Sequence, residues 1–208
     1  MPIINFILHI GEHLQQIVND YGSWVYAVLF AIVFCETGLV ILPFLPGDSM
    51  LFAAGSIAAM GGMNIFVLVG LLILAAVLGD FVNFEIGKHF GQKLFANPNS
   101  RIFKPQYLQK TQDYYAKYGG RTIIIARFVP IVRTFAPFVG GMGQMPYREF
   151  IKYNLVGAVL WVTSFTLLGY FFGGLQIVKN NFSLFLIGII VVSVLPMVIE
   201  VWRAKTKK

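Results

Sequence analysis

Charge is scarce in this 208-residue chain: only 12% of its residues are Asp, Glu, Lys or Arg, and acids number 9 against 16 bases. Soluble domains carry about 25% charged residues. So little charge, beside 57% apolar residues and a mean hydropathy of +0.74, points to a polytopic membrane protein. The one cysteine, Cys35, lies in an apolar run, which excludes a disulfide framework and a paired-cysteine metal site. Residues 1–22 lack a basic stretch and an A-x-A site, so no cleavable leader is expected. HExxH, a nucleophile elbow and an acid-rich metal cluster are all missing, and Ser49 has no histidine near it in sequence. Neither a metal, a cofactor nor an enzymatic activity is therefore expected. The net charge of +7 does not argue for nucleic acid, because the bases gather in short polar stretches beside apolar runs, as in membrane proteins that keep positive loops inside.

Taken in order, the chain reads as one all-α membrane domain over 1–208. Residues 1–22 form an amphipathic N-terminal segment, with Ile3, Phe6, Ile7, Ile10, Leu14 and Ile17 on one helical face. His9 and His13 are spaced i,i+4, but no glutamate is placed to complete a zinc motif. An apolar helix from Trp24 to Leu42 holds a single carboxylate, Glu36. Pro43, Pro46 and Gly47 break it, and Asp48 or Ser49 is placed to cap the next helix, Met50–Met60. A span from Ile65 to Leu78 is expected to leave the membrane at Gly79-Asp80 and Asn83, with Glu85 and His89 as a helix-end pair. Residues 91–120 carry mostly bases and read as a cytoplasmic loop. Further apolar runs cover 153–172 and 182–201, and Arg203, Lys205, Lys207 and Lys208 place the C-terminus on the same side as that loop.

The stretch Arg127 to Gly141 breaks this pattern. Arg127 and Arg133 sit among Phe, Val and Ile, and Pro130 and Pro137 remove helix hydrogen bonds. Arginine cannot shed its charge, so it needs an acid, an anion or water within the bilayer. Freed backbone carbonyls must face protein or a wet cavity. A re-entrant, ligand-facing hairpin fits better than a plain span, and the count of crossings between the two basic regions agrees with it. Asn154 shares a helical face with Gly157 and Trp161 and is grouped with the arginines as a substrate-binding residue.

Sliding the sequence by 82 residues (142 − 60) lays Met60-Gly61-Gly62-Met63 on Met142-Gly143-Gln144-Met145, and Gly87, Phe90 and Gly91 on Gly169, Phe172 and Gly173. Two copies of one unit are expected, over 23–90 and 121–173, each a broken hairpin followed by a spanning helix. Such a unit crosses an odd number of times, so its copies must be inverted, as in secondary transporters. The first hairpin brings acids, Glu36 and Asp48; the second brings Arg127 and Arg133. Facing one another, they can neutralise each other until a substrate intervenes.

The motifs Phe34-Cys35-Glu36-Thr37-Gly38, Pro43 to Ser49, Gly119-Gly120-Arg121, Ala126 to Thr134 and Gly140-Gly141-Met142, with Asn154, Gly157 and Trp161, resemble those of the DedA family, also called SNARE-associated or VTT-domain proteins. The resemblance covers essentially the whole chain. It implies a bacterial inner-membrane protein with two re-entrant hairpins that moves a lipid carrier, such as undecaprenyl phosphate, or a phospholipid between leaflets on the proton gradient. The family's functional acids and arginines fall on Glu36, Asp48, Arg127 and Arg133. The function expected is a proton-linked flippase for an anionic lipid phosphate, with protons and membrane lipids as partners. A passive scramblase, an intramembrane lipid-phosphate enzyme and a structural factor are the alternatives, and assembly as a homo-oligomer is left open.

Overall fold

The structure, a computed structural model, describes residues 22–39, 47–95 and 105–173, with 175 and 188. The expected amphipathic segment, Pro43, Pro46 and the span 182–201 lie outside the described residues. Every regular element among the described residues is a helix: α1 Trp24–Gly38, α2 Gly47–Ala59, α3 Ile65–Phe95, α4 Pro105–Tyr118, a single 3-10 turn Gly119–Arg121, α5 Thr122–Ala126, α6 Pro130–Met142 and α7 Tyr147–Gly173. The apolar parts of α3 and α7, Ile65–Gly91 and Tyr147–Gly173, are 27 residues each. At 1.5 Å per residue that is about 40 Å, enough to cross a hydrocarbon core of about 30 Å with tilt. Only 33% of the most apolar stretch of each is buried inside the protein. Phe66, Leu74, Phe90, Leu155, Leu160 and Phe171 are exposed, as lipid-facing side chains should be. By contrast α2 and α6 have 13 residues each, about 20 Å, too short to cross.

The chain divides into two compact units, 1–30 with 46–72 and 162–208, and 31–45 with 73–161. In the first, α2 packs on the last part of α7 through backbone. A β-carbon added at Gly55 would fall on the Thr166 carbonyl oxygen, one at Gly169 on that of Phe52, and one at Gly173 on the Ser56 side chain. The Ser56 hydroxyl donates to the Phe52 and Gly169 carbonyls at 2.9 and 3.1 Å. Such small-residue crossings suit a membrane, where van der Waals contact and hydrogen bonds replace the hydrophobic drive between helices. In the second unit α6 packs on α3 in the same way: Gly141 against the Phe84 carbonyl, Gly87 against that of Phe138, Gly91 against the Met142 side chain. The long-helix members of these contacts are 82 residues apart (169 − 87), as the sequence offset anticipates. The short-helix members are 86 apart (141 − 55), one helical turn more, which an apolar sequence matches equally well.

The short helices also end alike. Gly62 N–H donates to the Ile57 carbonyl and Gly61 N–H to that of Ala58; Met145 and Gln144 do the same to Gly140 and Gly141. This is the Schellman arrangement, and its left-handed residue is Gly61 (φ 85) in one case and Gln144 (φ 54) in the other. Gly141→Val is expected to unfold the α3–α6 crossing, because the clash is with backbone that no rotamer change relieves. A loss of roughly 2–3 kcal/mol, read as a lower melting temperature in detergent, checks this, and wild-type melting would refute it.

Several local expectations shift. α1 ends at Gly38, short of Leu42, and α2 begins at Gly47, so Asp48 and Ser49 lie inside its first turn and do not cap it from outside. Gly47 is thus the first residue of a helix and does not break one. An acid in the first turn still suits the helix dipole. α3 does not end at Gly79-Asp80 but runs on to Phe95. It is capped by Asn64, whose side-chain oxygen accepts from the Phe66 and Val67 N–H groups at 3.0 and 3.3 Å. Glu85 and His89 do pair at 3.5 Å near its exposed end. Pro137 breaks nothing: it lies inside α6, where it withholds one N–H from the Arg133 carbonyl four residues back.

Candidate functional site

Pro130 builds the site. It is the first residue of α6, where its missing N–H costs nothing, and it forces Val129 into an extended conformation (φ −120, ψ 105). α5 therefore stops at Ala126. The chain turns through Arg127 and Phe128, held by N–H bonds back to Ile124, Ile125 and Ala126. A tight core of Phe84, Ile123, Ala126, Val132, Ala136 and Phe150 fixes the turn, with the Phe84 and Phe150 rings stacked at 4.2 Å. α4 braces α6 from outside: the Tyr115 hydroxyl donates to the Ala136 carbonyl at 2.9 Å. Burial, followed by the Asp80 and Glu149 carboxylates, pushes the Tyr115 phenol well above its usual range, so it remains a neutral donor.

From the turn Arg127 reaches inward and is 4% exposed. Its Nη2 donates to Asp80 Oδ2 on α3 at 2.5 Å and to Asn154 Oδ1 on α7 at 2.6 Å. Asn154 is held in turn by a 3.1 Å bond from its Nδ2 to the Val77 carbonyl. Room for the guanidinium stem comes from Gly157, where a β-carbon would sit 3.0 Å from both Cδ and Nε of Arg127. In the first turn of α6, Arg133 forms an ion pair with Glu36 of α1, which is completely buried. The Trp161 ring lies against both cations, 5.9 Å from the Arg127 guanidinium carbon and 5.4 Å from that of Arg133. That is within cation–π range. Burying two ion pairs without further bonds would cost more than their attraction returns. Here the second partners of Arg127 and the Trp161 face offset part of that cost.

Of the residues expected at the site, the structure brings Glu36, Arg127, Arg133 and Asn154 together in one unit. Asp48 belongs to the other unit, in the first turn of α2. The acid beside Arg127 is Asp80, which the sequence suggested was emerging into water. It is 4% exposed. The correction has a simple cause: a carboxylate at the end of an apolar run looks the same whether it meets solvent or a guanidinium 47 residues away. Asn83, also assigned to the exit, is fully buried. Among the described residues no group of three or more His, Cys, Asp or Glu could hold a metal ion.

The cavity lined by Thr37, Asp80, Arg127, Arg133, Thr134 and Trp161 measures about 10 Å³. That is room for one water molecule at most, and not for a phosphate. A far larger pocket of about 630 Å³ lies between α4, the end of α6 and the start of α7, but its lining has one charged side chain, Glu149. The chemistry and the space are therefore separate in this state.

Comparison with known proteins gives the family. The VTT domain matches residues 45–171. Protein DedA of Escherichia coli K12 is 59% identical over 205 residues, covering 98% of this chain and 94% of its own length. Uncharacterized membrane protein Rv0364 of Mycobacterium tuberculosis H37Rv is 42% identical, covering 89% of this chain and 83% of its own. Inner membrane protein YghB of E. coli K12 is 32% identical, covering 76% and 73%. No solved structure matches the chain. A VTT domain over most of the chain, and relatives of this identity along nearly its whole length, place it in the DedA family of VTT-domain membrane proteins.

Proposed function

We propose that the protein is a proton-linked translocase for an anionic lipid phosphate, with undecaprenyl phosphate or a phospholipid as cargo. The observation that carries this reading is the pair of buried ion pairs, Glu36 with Arg133 and Asp80 with Arg127, meeting at one Trp161 face. Arginines offer a phosphate charge-assisted hydrogen bonds of the kind their carboxylates now take. Protonating Glu36 or Asp80 frees its arginine for the phosphate; deprotonation re-forms the pair and expels the lipid. Asp48, in the first turn of α2, is a further acid for the proton path, and Asn154 orients Arg127 toward the cargo.

The matched glycine crossings and helix ends support two copies of one unit, and the short helices α2 and α6 support re-entrant hairpins. Inserted in opposite senses, the copies would give an inverted repeat with its site at membrane depth. The basic stretch before α5 and the basic C-terminus favour the cytoplasmic side, and the name of the YghB relative favours the inner membrane. A passive scramblase would use the same cavity without a proton step.

Leaflet-specific uptake of labelled undecaprenyl phosphate into proteoliposomes tests the reading. Uptake is expected to accelerate under an imposed pH gradient and to fall at least about tenfold in Glu36→Gln and Arg133→Ala. Unchanged uptake in both variants would remove their roles, and indifference to the gradient would leave the scramblase.

A further inference from the structure

Asn83 has no place in the ion pairs, yet it is completely buried on α3 beside them. Its Nδ2 donates to two backbone carbonyls, of Thr37 on α1 at 3.1 Å and of Thr134 on α6 at 2.8 Å. Thr37 directly follows Glu36, and Thr134 directly follows Arg133. One carboxamide thus ties together the two backbone stretches that carry the two members of one ion pair. The seat is reinforced one turn earlier on the same face of α3. A β-carbon at Gly79 would fall on the Thr37 hydroxyl and within 2.8 Å of the Phe34 carbonyl, so α1 rests on bare backbone there. The Thr37 hydroxyl is itself committed to the Val33 carbonyl at 3.0 Å. The Asn83 Oδ1 is buried with no hydrogen-bond partner. A buried amide with an unsatisfied acceptor carries a free-energy cost. Packing alone therefore does not call for an amide here; the two carbonyl bonds do.

We infer that Asn83 is a positioning residue that sets the approach of Glu36 to Arg133 by holding the carbonyls next to each of them. The inference takes that pair as the working pair of the translocase proposed above, but it concerns geometry and is tested without transport. An ion pair is sensitive to separations of an ångström or less, so loosening the shared anchor weakens the pair even where both side chains remain. Two donors on one planar amide fix the two carbonyls at a common distance, which neither a hydroxyl nor an apolar side chain reproduces.

The test is a double-mutant cycle on melting temperature in detergent, using Glu36→Gln, Arg133→Gln and the two combined. It is run once with Asn83 intact and once in Asn83→Leu. The non-additive part of the shift measures the pair itself, and a residue that only stabilises the fold lowers every melting temperature without changing it. In Asn83→Leu the non-additive part is expected to fall to about a third or less of its value with Asn83 intact. An unchanged coupling overturns the inference, however much the overall stability drops. Should Asn83→Leu fail to fold, Asn83→Ser, which keeps a single donor, is read by the same criterion. Failure of the wild-type protein to move undecaprenyl phosphate would overturn the translocase and leave the coupling result standing; the two outcomes are separate.

Discussion

Asp80→Ala is expected to lower the melting temperature of the detergent-solubilised protein more than Arg127→Ala does, although both break the same pair. The asymmetry comes from chemistry. A carboxyl left in apolar surroundings can take up a proton and become neutral, whereas a guanidinium keeps its charge at any usable pH. Removing Asp80 strands Arg127, which is 4% exposed and shares a cavity of about 10 Å³, too small for the waters that would replace an anion. Leaving a buried charge unpaired typically costs about 3–5 kcal/mol. For a chain of this length that corresponds to a shift on the order of 10 °C. Asn154 remains as a neutral acceptor and limits the loss. Adding Arg127→Met to Asp80→Ala is expected to restore more than half of it, because the stranded charge goes. Equal shifts for the two single variants would mean that Arg127 is solvated by a route absent from these contacts.

Exchanging the charges of the other pair separates structure from transport. Glu36→Arg combined with Arg133→Glu restores attraction between the same two positions, so its melting temperature is expected to return close to that of the wild type, while either single reversal leaves like charges facing each other. Transport is not expected to return. The cation now sits on α1 and the anion on α6 beside Arg127, so an arriving phosphate meets a carboxylate where it needs a donor. Losing one charge-assisted hydrogen bond worth about 1.5–3 kcal/mol corresponds to roughly 10- to 100-fold in uptake of labelled undecaprenyl phosphate. Full uptake in the exchanged protein would assign the pair to holding the helices in register and nothing more.

Most of this site was legible in the sequence for one reason: an arginine among apolar residues demands a partner, and Glu36 supplied an equally displaced acid. Asn154, Gly157 and Trp161 fell on one face of α7 by helical spacing alone, and the structure uses that face against Arg127. Asp80 and Asn83 were not legible as buried groups. They follow the apolar run Ile65 to Leu78 and precede Lys88 and His89, so hydropathy places the exit too early. Only the pairing across the fold reveals that α3 is buried at both positions. Pro137 misled in the opposite way. A proline marks a break only when its neighbours cannot tolerate one lost bond, and α6, bounded by Pro130 and packed through Gly141 and Phe138 against α3, tolerates it. The 82-residue offset was visible in the long helices, but the register of the short ones was blurred because four residues advance a helix by about one turn and return similar side chains to the same face.

The near absence of free space between the two arginines and their acids bears on the host cell's energy supply. A membrane that stores a proton gradient is short-circuited by any continuous file of water. With a void that admits a single water molecule at most, no continuous file of water runs between these arginines and their acids. On the translocase proposal, a proton path through this site would open only while cargo holds the carboxylates aside, which would tie leakage to work done.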